Sequence, residues 1–480
     1  MHPLLEDLYP LSPMQEGLLF HSLESPGSGV HITQHAWTLR RLDVDAFARA
    51  WQWVLDRHAI LRSAFVWKNT ATPLQAVVRR VPLAIAHEDW RGLSRDERKA
   101  RLDAYLARDR HQDFALNRAP LFRLALMALD GGRHQLVLTQ HHILLDGWSL
   151  PLLFADVTTA YRAFVSGREP SAPARAPFRD YIAWLQRQNL DDTDRFWRDL
   201  LAGFQGQRAS SPSRDAGDRS RADERRIMIP ETETDALKRW CRARRITVNT
   251  AFQGAWALVL GRVRQMDDVV FGAIVSGRPV DLPGVETLLG VFINTIPVRA
   301  RMGGALADDV AVWLRRLQDE HGQASRYAYT PLPRIKRCSQ VPAHEPLFDT
   351  AINFLNYPRP AMDFDATAGA GAGDGDAGQA DEDEAIYATS NAYRLSLLVG
   401  ASDAALSVTM LAEPDLFPSA VTERIGPMLR AALDAFVAAD TVTVSDVVQR
   451  LRDLDRQAMA SDRRAAFRHF TAARAPQPVS

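Results

Sequence analysis

The chain lacks most of the features that would assign its class from composition alone. Its 480 residues include only two cysteines, Cys241 and Cys338, which lie far apart and outside any C-x-x-C spacing, so we expect neither a disulfide framework nor a metal site. The chain also has no excess of basic residues, because 58 Lys and Arg residues balance 58 Asp and Glu residues. This balance argues against a protein that binds nucleic acid or a membrane surface. The start, "MHPLLEDLYPLSP", has no basic region and no long apolar run, so we expect no signal peptide, no membrane span and a cytoplasmic location.

The length and an apolar fraction of 46% favour two or three domains, or one large two-lobed body. The Pro- and Ala-rich stretch at 166–177 is typical of a connector, and the polar stretch at 209–226 predicts a mobile loop. Residues 361–385 are acidic, rich in Ala and Gly, and low in complexity, which predicts a disordered insertion. From about 446 the pattern predicts a charged helical tail that ends in a linker.

Periodic patterns predict three local elements around one motif. Apolar residues at helical spacing follow Asp43, and "FRLALMALDGGRHQLVLTQHH" predicts a hairpin with its turn at 130–132. Ser149 is a candidate N-cap for the helix that follows, with Pro151 in its first turn. The motif "QHHILLDGWS" at 140–149 is therefore placed where a strand runs into a loop, a common position for chemistry.

The histidine pair of this motif has functional and structural interpretations. Successive strand residues point to opposite faces, so we expect one of His141 and His142 to be structural and the other to face a cleft. Alternatively, both are hydrogen-bonded core residues; a zinc site lacks further ligands at the required spacing. Asp146 before Gly147 is equally typical of an ordinary turn.

Several stretches together resemble one known family. "HHILLDG" is similar to the H-H-x-x-x-D-G signature of the condensation domains of nonribosomal peptide synthetases and of chloramphenicol-acetyltransferase-like acyltransferases. The other matching stretches, in the family's order, are "LSPMQEGLLFHSL", "RHAILRSAF", "FRDYIAWL", "VSGRP", "GVFINTIPVR" and "EPLFDTAINFLNYP". The resemblance spans about residues 5–450.

This resemblance implies an α/β fold of two chloramphenicol-acetyltransferase-like lobes, arranged as a V with the active site in the crevice between them. The N-terminal lobe is expected at 1–177 and the C-terminal lobe at 178–450. Residues 451–480 would form a linker toward an adenylation domain.

The resemblance also implies amide formation between two substrates, each held by the phosphopantetheine of a carrier protein, with no cofactor in the domain itself. The family's catalytic position corresponds to His142. An imidazole with an ordinary pKa near 6.5 can accept a proton at neutral pH, or the residue can act only by holding the amine in line. The sequence leaves both roles open.

For the remaining motif residues, the resemblance implies support of this site. Asp146 and Arg278 would form an ion pair that holds the loop, with His141 structural. Gly147 would leave room for a substrate, or glycine would be needed there only because the backbone adopts a positive φ. Trp148, Ser149 and Asn294 are candidate tunnel-lining residues, although a tryptophan at a helix start is as often plain core.

The variants "SPMQEGLLFHSL" and "HHILLDGWS" resemble the subgroup whose donor ends in a D-residue. The expected partners are an upstream donor carrier, following an epimerisation domain on another polypeptide, and downstream adenylation and acceptor carrier domains, with the chain itself monomeric. A start close to the first motif is expected for this subgroup and equally for a starter domain that attaches a fatty acyl group. A further alternative is a non-catalytic domain that recruits partner enzymes.

Overall fold

The computed structural model describes most of the chain. The described residues are 4–29, 31–206, 223–355, 364, 385–387, 393–401, 405–415 and 417–472. The predicted disordered insertion therefore lies outside the described residues apart from 364 and 385, as does most of the predicted loop at 209–226. Among the helices within these ranges, none is long and apolar enough to cross a membrane.

Helices and strands are interspersed along the chain. The strands are β1 Leu5–Pro10, β2 Ile32–Arg40, β3 Ser63–Val66, β4 Leu74–Val78, β5 Ile85–Asp89, β6 Phe122–Ala128, β7 Arg133–His141, β8 Asp223–Ile229, β9 Asp268–Val275, β10 Asn294–Arg301, β11 Thr350–Leu355, β12 Ala385–Tyr387, β13 Leu395–Ala401 and β14 Leu406–Ala412. The helices are α1 Pro13–Glu24, α2 Val44–Arg57, α3 Arg95–Arg110, α4 Ser149–Val165, α5 Phe178–Gln186, α6 Leu190–Leu201, α7 Glu231–Arg244, α8 Val248–Arg264, α9 Val310–Ser325, α10 Leu332–Arg337, α11 Ser419–Val437 and α12 Val444–Ala472.

Internal contacts divide the chain into two compact units. Unit 1 consists of Met1–Asn189, Ser276–Asn294 and Tyr357–Ser390, and the remaining residues form unit 2. The division after Asn189 differs from the predicted boundary at 177. The reason is that α5 belongs to unit 1, where the Phe178 ring lies 5.3 Å from that of Phe292.

Unit 1 contains a five-stranded sheet in the order β12-β2-β7-β6-β5 and a three-stranded sheet in the order β1-β4-β3. The predicted hairpin is present, because β6 and β7 pair antiparallel across the turn at Asp130–Gly132. The predicted helix after Asp43 is α2, whose first turn is capped by the Asp43 carboxylate on the Ala46 N–H. Its apolar stripe, including Phe47 and Trp51, is fully buried, as its spacing predicts.

Unit 2 contains a six-stranded sheet in the order β10-β9-β11-β13-β14-β8. Strand β8 begins at Asp223, so the last four residues of the predicted loop at 209–226 are strand. These four residues form strand because β14 pairs with β8 along its whole length, from Leu406↔Ile229 to Ala412↔Asp223.

The C-terminal helix also differs from its prediction. Residues 451–480 were expected to be a linker, yet Leu451 and Asp455 of α12 are buried within unit 2. Arg262 of α8 and Arg424 of α11 both pair with the Asp455 carboxylate. Helix α12 is thus packed in unit 2 at least as far as this residue.

Candidate active site

The motif begins where β7 ends. Strand β2 pairs with β7 along its full length, and the last pair is Ile32↔His141. The next residue, His142, leaves the ladder but donates its N–H to the His31 carbonyl at 2.7 Å. The sheet therefore fixes the backbone on both sides of the first histidine.

His141 is held as a neutral imidazole. Its Nδ1 accepts the Ile143 N–H at 3.1 Å, so the proton resides on Nε2, which lies 3.0 Å from Ser22 Oγ. Because the Ser22 hydroxyl donates to the Leu18 carbonyl, its oxygen is available as the acceptor. Burial, followed by the charge on His142, lowers the pKa of His141 to about 3. This side chain therefore does not take up a proton near neutral pH, and its structural role stays a prediction.

His142 is only half-buried. Its Nδ1 is buried and, within the described part of the chain, has no hydrogen-bond partner. A histidine in a Ser-His-Asp triad is oriented by a carboxylate at this nitrogen, and among the described residues no carboxylate takes that position here. The arrangement is compatible with proton transfer and with positioning of an amine.

Asp146 is 1% exposed and surrounded by donors. Its Oδ1 accepts the N–H and the hydroxyl of Ser149 at 2.9 and 2.8 Å, and its Oδ2 accepts the Phe292 N–H at 3.1 Å. The Asp146 N–H itself donates to the Gly290 carbonyl. Both carboxylate oxygens are therefore engaged in holding the loop against the segment around 290.

The predicted N-cap role of Ser149 is wrong. Ser149 is the first residue of α4, and Trp148 before it makes no side-chain cap. The Ser149 hydroxyl lies 2.8 Å from both Asp146 Oδ1 and the Gly290 carbonyl. Asp146 accepts the Ser149 N–H instead, which gives the start of α4 the acceptor that a cap normally supplies.

Arg278 reaches the same loop from the "VSGRP" stretch. Its Nη2 lies 3.4 Å from Asp146 Oδ1 and 3.2 Å from Ser149 Oγ, and its guanidinium lies 4.1 Å from the centre of the Phe292 ring. Burial lowers the pKa of Arg278, and Asp146 opposes that shift.

Gly277 permits this approach of the arginine. Its φ is +61°, and a Cβ there would lie 1.8 Å from the Phe292 carbonyl oxygen. A side chain at this position would therefore move Arg278 away from the loop.

The remaining predicted residues are less closely connected to His142. Trp148 is half-buried, and its Nε1 donates to the Glu286 carbonyl at 3.3 Å. Gly147 is half-buried in the loop, and Asn294 is buried at the start of β10. Tunnel lining by Trp148, Ser149 and Asn294 stays a prediction, as does the passage of substrate beside Gly147.

Two contact residues were not singled out from the sequence. Gln15 donates from Nε2 to the Ile143 carbonyl at 3.3 Å, and Ser22 contacts His141 as described. Both lie in the stretch "LSPMQEGLLFHSL", so the signal was their presence in the first motif. Apolar periodicity does not reveal Gln15 and Ser22, because both are polar residues within a short helix.

Comparison with known proteins identifies relatives that match most of the chain. The Condensation domain family model matches residues 5–459. Linear gramicidin synthase subunits C and B of Brevibacillus parabrevis are 40% and 42% identical over 357 and 359 residues, 74% of this chain. These regions are 5% and 7% of the two relatives, so the chain spans less than a tenth of their length.

Solved structures show the same fold. The first condensation domain of the calcium-dependent antibiotic synthetase, in complex with a substrate analogue, is 19% identical with a TM-score of 0.73, over 92% of this chain and 98% of that one. The X-domain in its complex with OxyB from teicoplanin biosynthesis is 23% identical with a TM-score of 0.72, over 92% and 96%. The predicted two-lobed α/β fold is confirmed, whereas the V-shaped arrangement stays a prediction.

Proposed function

This chain belongs to the condensation-domain family of nonribosomal peptide synthetases, which form amide bonds, and from that premise we propose that it condenses two carrier-bound substrates at His142. The donor is a peptidyl or acyl thioester and the acceptor is an aminoacyl thioester, each on the phosphopantetheine of a carrier protein. The observation that supports this best is the contrast within the histidine pair. His141 is neutral and fully engaged, whereas His142 is half-buried and its buried Nδ1 has no hydrogen-bond partner among the described residues.

The proposed reaction places simple demands on the protein. The acceptor amine attacks the donor carbonyl, the C–N bond forms, and the C–S bond breaks to release the donor carrier's thiol. A free α-amine has a pKa near 8, so its proton must be removed before or during attack. His142 accepts that proton from the ammonium or from the tetrahedral intermediate, or it aligns the amine and water takes the proton.

The surrounding loop supports the proposal by holding this geometry. Asp146 is occupied by Ser149 and Phe292 and contacts Arg278. Its carboxylate is thus assigned a structural role and not proton transfer. Effective molarities of well-oriented groups can account for a large part of the rate of a reaction that starts from an activated thioester.

The test uses the purified chain with one loaded donor carrier and one loaded acceptor carrier. Mass spectrometry of the acceptor carrier should show the amide product. His142→Ala should retain its fold and lose most turnover: a loss of about 10²–10⁴-fold is the range for proton transfer, and a smaller loss indicates positioning. His344→Ala is the matched control, because that side chain is 82% exposed. Full turnover by His142→Ala would overturn the assignment.

The finer proposal concerns the donor, its partners and location. The first-motif variant "SPMQEGLLFHSL" supports a donor whose terminal residue has the D-configuration, delivered by an upstream carrier after epimerisation. Adenylation and acceptor carrier domains would follow, in the cytoplasm. The alternatives are a starter domain with a fatty acyl donor and a recruitment domain without turnover.

A further inference from the structure

Helix α1 contacts the histidine motif at two points on one of its faces. Gln15 and Ser22 are seven residues apart, which is about two turns and 10 Å along the helix. Gln15 Nε2 lies 3.3 Å from the Ile143 carbonyl, and Ser22 Oγ lies 3.0 Å from His141 Nε2. The end of β7 and the first motif residues therefore run along this face of α1.

The direction of the Gln15 amide is determined by its surroundings. Gln15 is fully buried, and its Oε1 accepts the Ser12 N–H at 3.0 Å. Its Nε2 then faces two acceptors, Gln75 Oε1 at 2.7 Å and the Ile143 carbonyl. A flipped amide would oppose donor to donor at Ser12 and oxygen to oxygen at Ile143, so only one orientation satisfies all partners.

A second amide anchors the first. Gln75 of β4 is fully buried, and its Nε2 donates to Tyr9 Oη and Ser63 Oγ, both at 2.8 Å. Tyr9 belongs to β1 and Ser63 to β3, so all three strands of the small sheet take part. Buried amides that satisfy each other in this way form a rigid network, since breaking one bond leaves unpaired polar groups in a low-dielectric interior.

These contacts fix the backbone around His142. Its own N–H donates to His31, the next N–H donates to His141 Nδ1, and the Ile143 carbonyl accepts from Gln15. We propose that Gln15 is a positioning residue, supported by Ser22, that sets the direction of the His142 side chain. This inference rests on the proposed role of His142. A displacement of about 1 Å at a reacting group can cost on the order of a hundredfold in rate.

The test compares Gln15→Met with Ser12→Ala. The methionine keeps length and helix propensity but cannot donate to Ile143, whereas Ser12→Ala removes the hydroxyl cap of α1 and leaves that contact in place. Under saturating loaded carriers, Gln15→Met should lower the single-turnover rate by about tenfold or more, with KM for both carriers unchanged. Ser12→Ala should lower the melting temperature and leave the rate within about twofold. An equal rate loss in both variants would show that only helix stability matters and would overturn the inference.

A kinetic double-mutant cycle separates this inference from the proposed function. In the His142→Ala background, Gln15→Met should have no further effect, because a positioning residue acts through the residue it positions. A full additional loss overturns the inference but not the proposed function. Full turnover of His142→Ala itself overturns the proposed function and, with it, the inference.

Hydrogen exchange supplies a readout that does not depend on activity. Exchange in the peptide at 139–147, followed by mass spectrometry, should be faster in Gln15→Met than in Ser12→Ala. Equal exchange in the two variants would contradict the positioning role. Should Gln15→Met fail to fold, Ser22→Ala replaces it in the same cycle, because alanine retains the helix and removes the contact to His141 together with the local bond to the Leu18 carbonyl.

Discussion

At the scale of single residues, burial keeps His35 and His141 neutral. Burial and then the charge on His142 lower the pKa of His35 to about 4 and that of His141 to about 3. Strand alternation predicted that one histidine of the pair would be structural. It could not predict which partner holds it, because Ser22 lies 119 residues away in sequence and only the folded chain brings the two together.

The two lowered pKa values predict that acid destabilises the fold well above pH 4. The unfolded chain binds protons at these histidines below about pH 6.5, whereas the native chain does not until about pH 4 for His35. Their stabilising contribution is therefore full above pH 6.5 and decreases as the pH falls. Each site contributes a slope of up to about 1.4 kcal/mol per pH unit.

Urea unfolding at pH 7.5, 6.0 and 5.0 measures this slope. His35→Phe should reduce the pH slope by the contribution of one histidine, because it removes one titrating group. The phenyl ring can retain the stacking on Trp37, whose ring centre lies 5.4 Å away. His344→Ala should keep the wild-type slope. An unchanged slope in His35→Phe would contradict the assigned protonation state.

Substitutions of Asp146 and Arg278 should have coupled effects on the free energy of unfolding, and the two losses should differ in size. Asp146→Ala leaves Ser149, Phe292 and a buried arginine without their acceptor, and we expect a loss of about 3–5 kcal/mol. Arg278→Ala should cost less, because Asp146 keeps its other donors. The double variant should lose less than the sum of the two. Chemical unfolding of all three variants checks this, and strict additivity would show that the 3.4 Å contact carries no energy.

At the scale of elements, local patterns predicted what depends on local contacts. The hairpin of β6 and β7 and helix α2 follow from apolar spacing and a turn or cap within a few residues. The start of α4 was assigned to the wrong cap, because Ser149 bonds to Gly290, 141 residues away in sequence. The packing of α12 was missed for the same reason, since a charged helix is usually solvent-exposed, and the arginines that pair with Asp455 lie 193 and 31 residues away.

The Asp455 cluster predicts that α12 is an integral part of unit 2. Asp455→Asn should lower the free energy of unfolding by about 2 kcal/mol, because two half-buried arginines lose their counter-charge. Asp453→Asn on the same helix is the control, since that side chain is 51% exposed and pairs only with Arg456 among the ion pairs of the described residues. It should change stability by no more than about 0.5 kcal/mol. Equal effects of the two substitutions would mean that the arginine contacts are not stabilising.

At the scale of the whole molecule, the chain returns to its first unit to complete the motif loop. The segment Ser276–Asn294 is surrounded in sequence by unit 2 but belongs to unit 1. It supplies Arg278, Gly290 and Phe292 to the neighbourhood of Asp146. The resemblance in "VSGRP" identified Arg278 because a motif records such long-range contacts, whereas apolar periodicity does not.

We place donor selection at this same scale, because the candidate tunnel residues Trp148 and Asn294 lie far apart in the sequence. If the donor terminus is D-configured, a carrier-bound D-terminal peptide should condense on the order of a hundredfold faster than its L-epimer. Inversion at Cα exchanges the side chain and the hydrogen, which displaces the reacting carbonyl when the rest of the substrate is held. Initial rates with both epimers on one donor carrier and one acceptor, followed by mass spectrometry, measure the ratio.

A fatty acyl donor on the same carrier distinguishes the remaining alternatives. A starter domain would favour long chains, since each buried methylene contributes about 0.8 kcal/mol, so its rate at low donor concentration should rise with chain length. The D-donor proposal predicts the reverse order, with the D-peptide ahead of any simple acyl chain. Equal rates for the two epimers together with a faster fatty acyl donor would replace the D-donor proposal by the starter function. Absence of product from every donor, while the fold is intact and the carriers bind, would favour a recruitment domain, and His142 would then serve the structure alone.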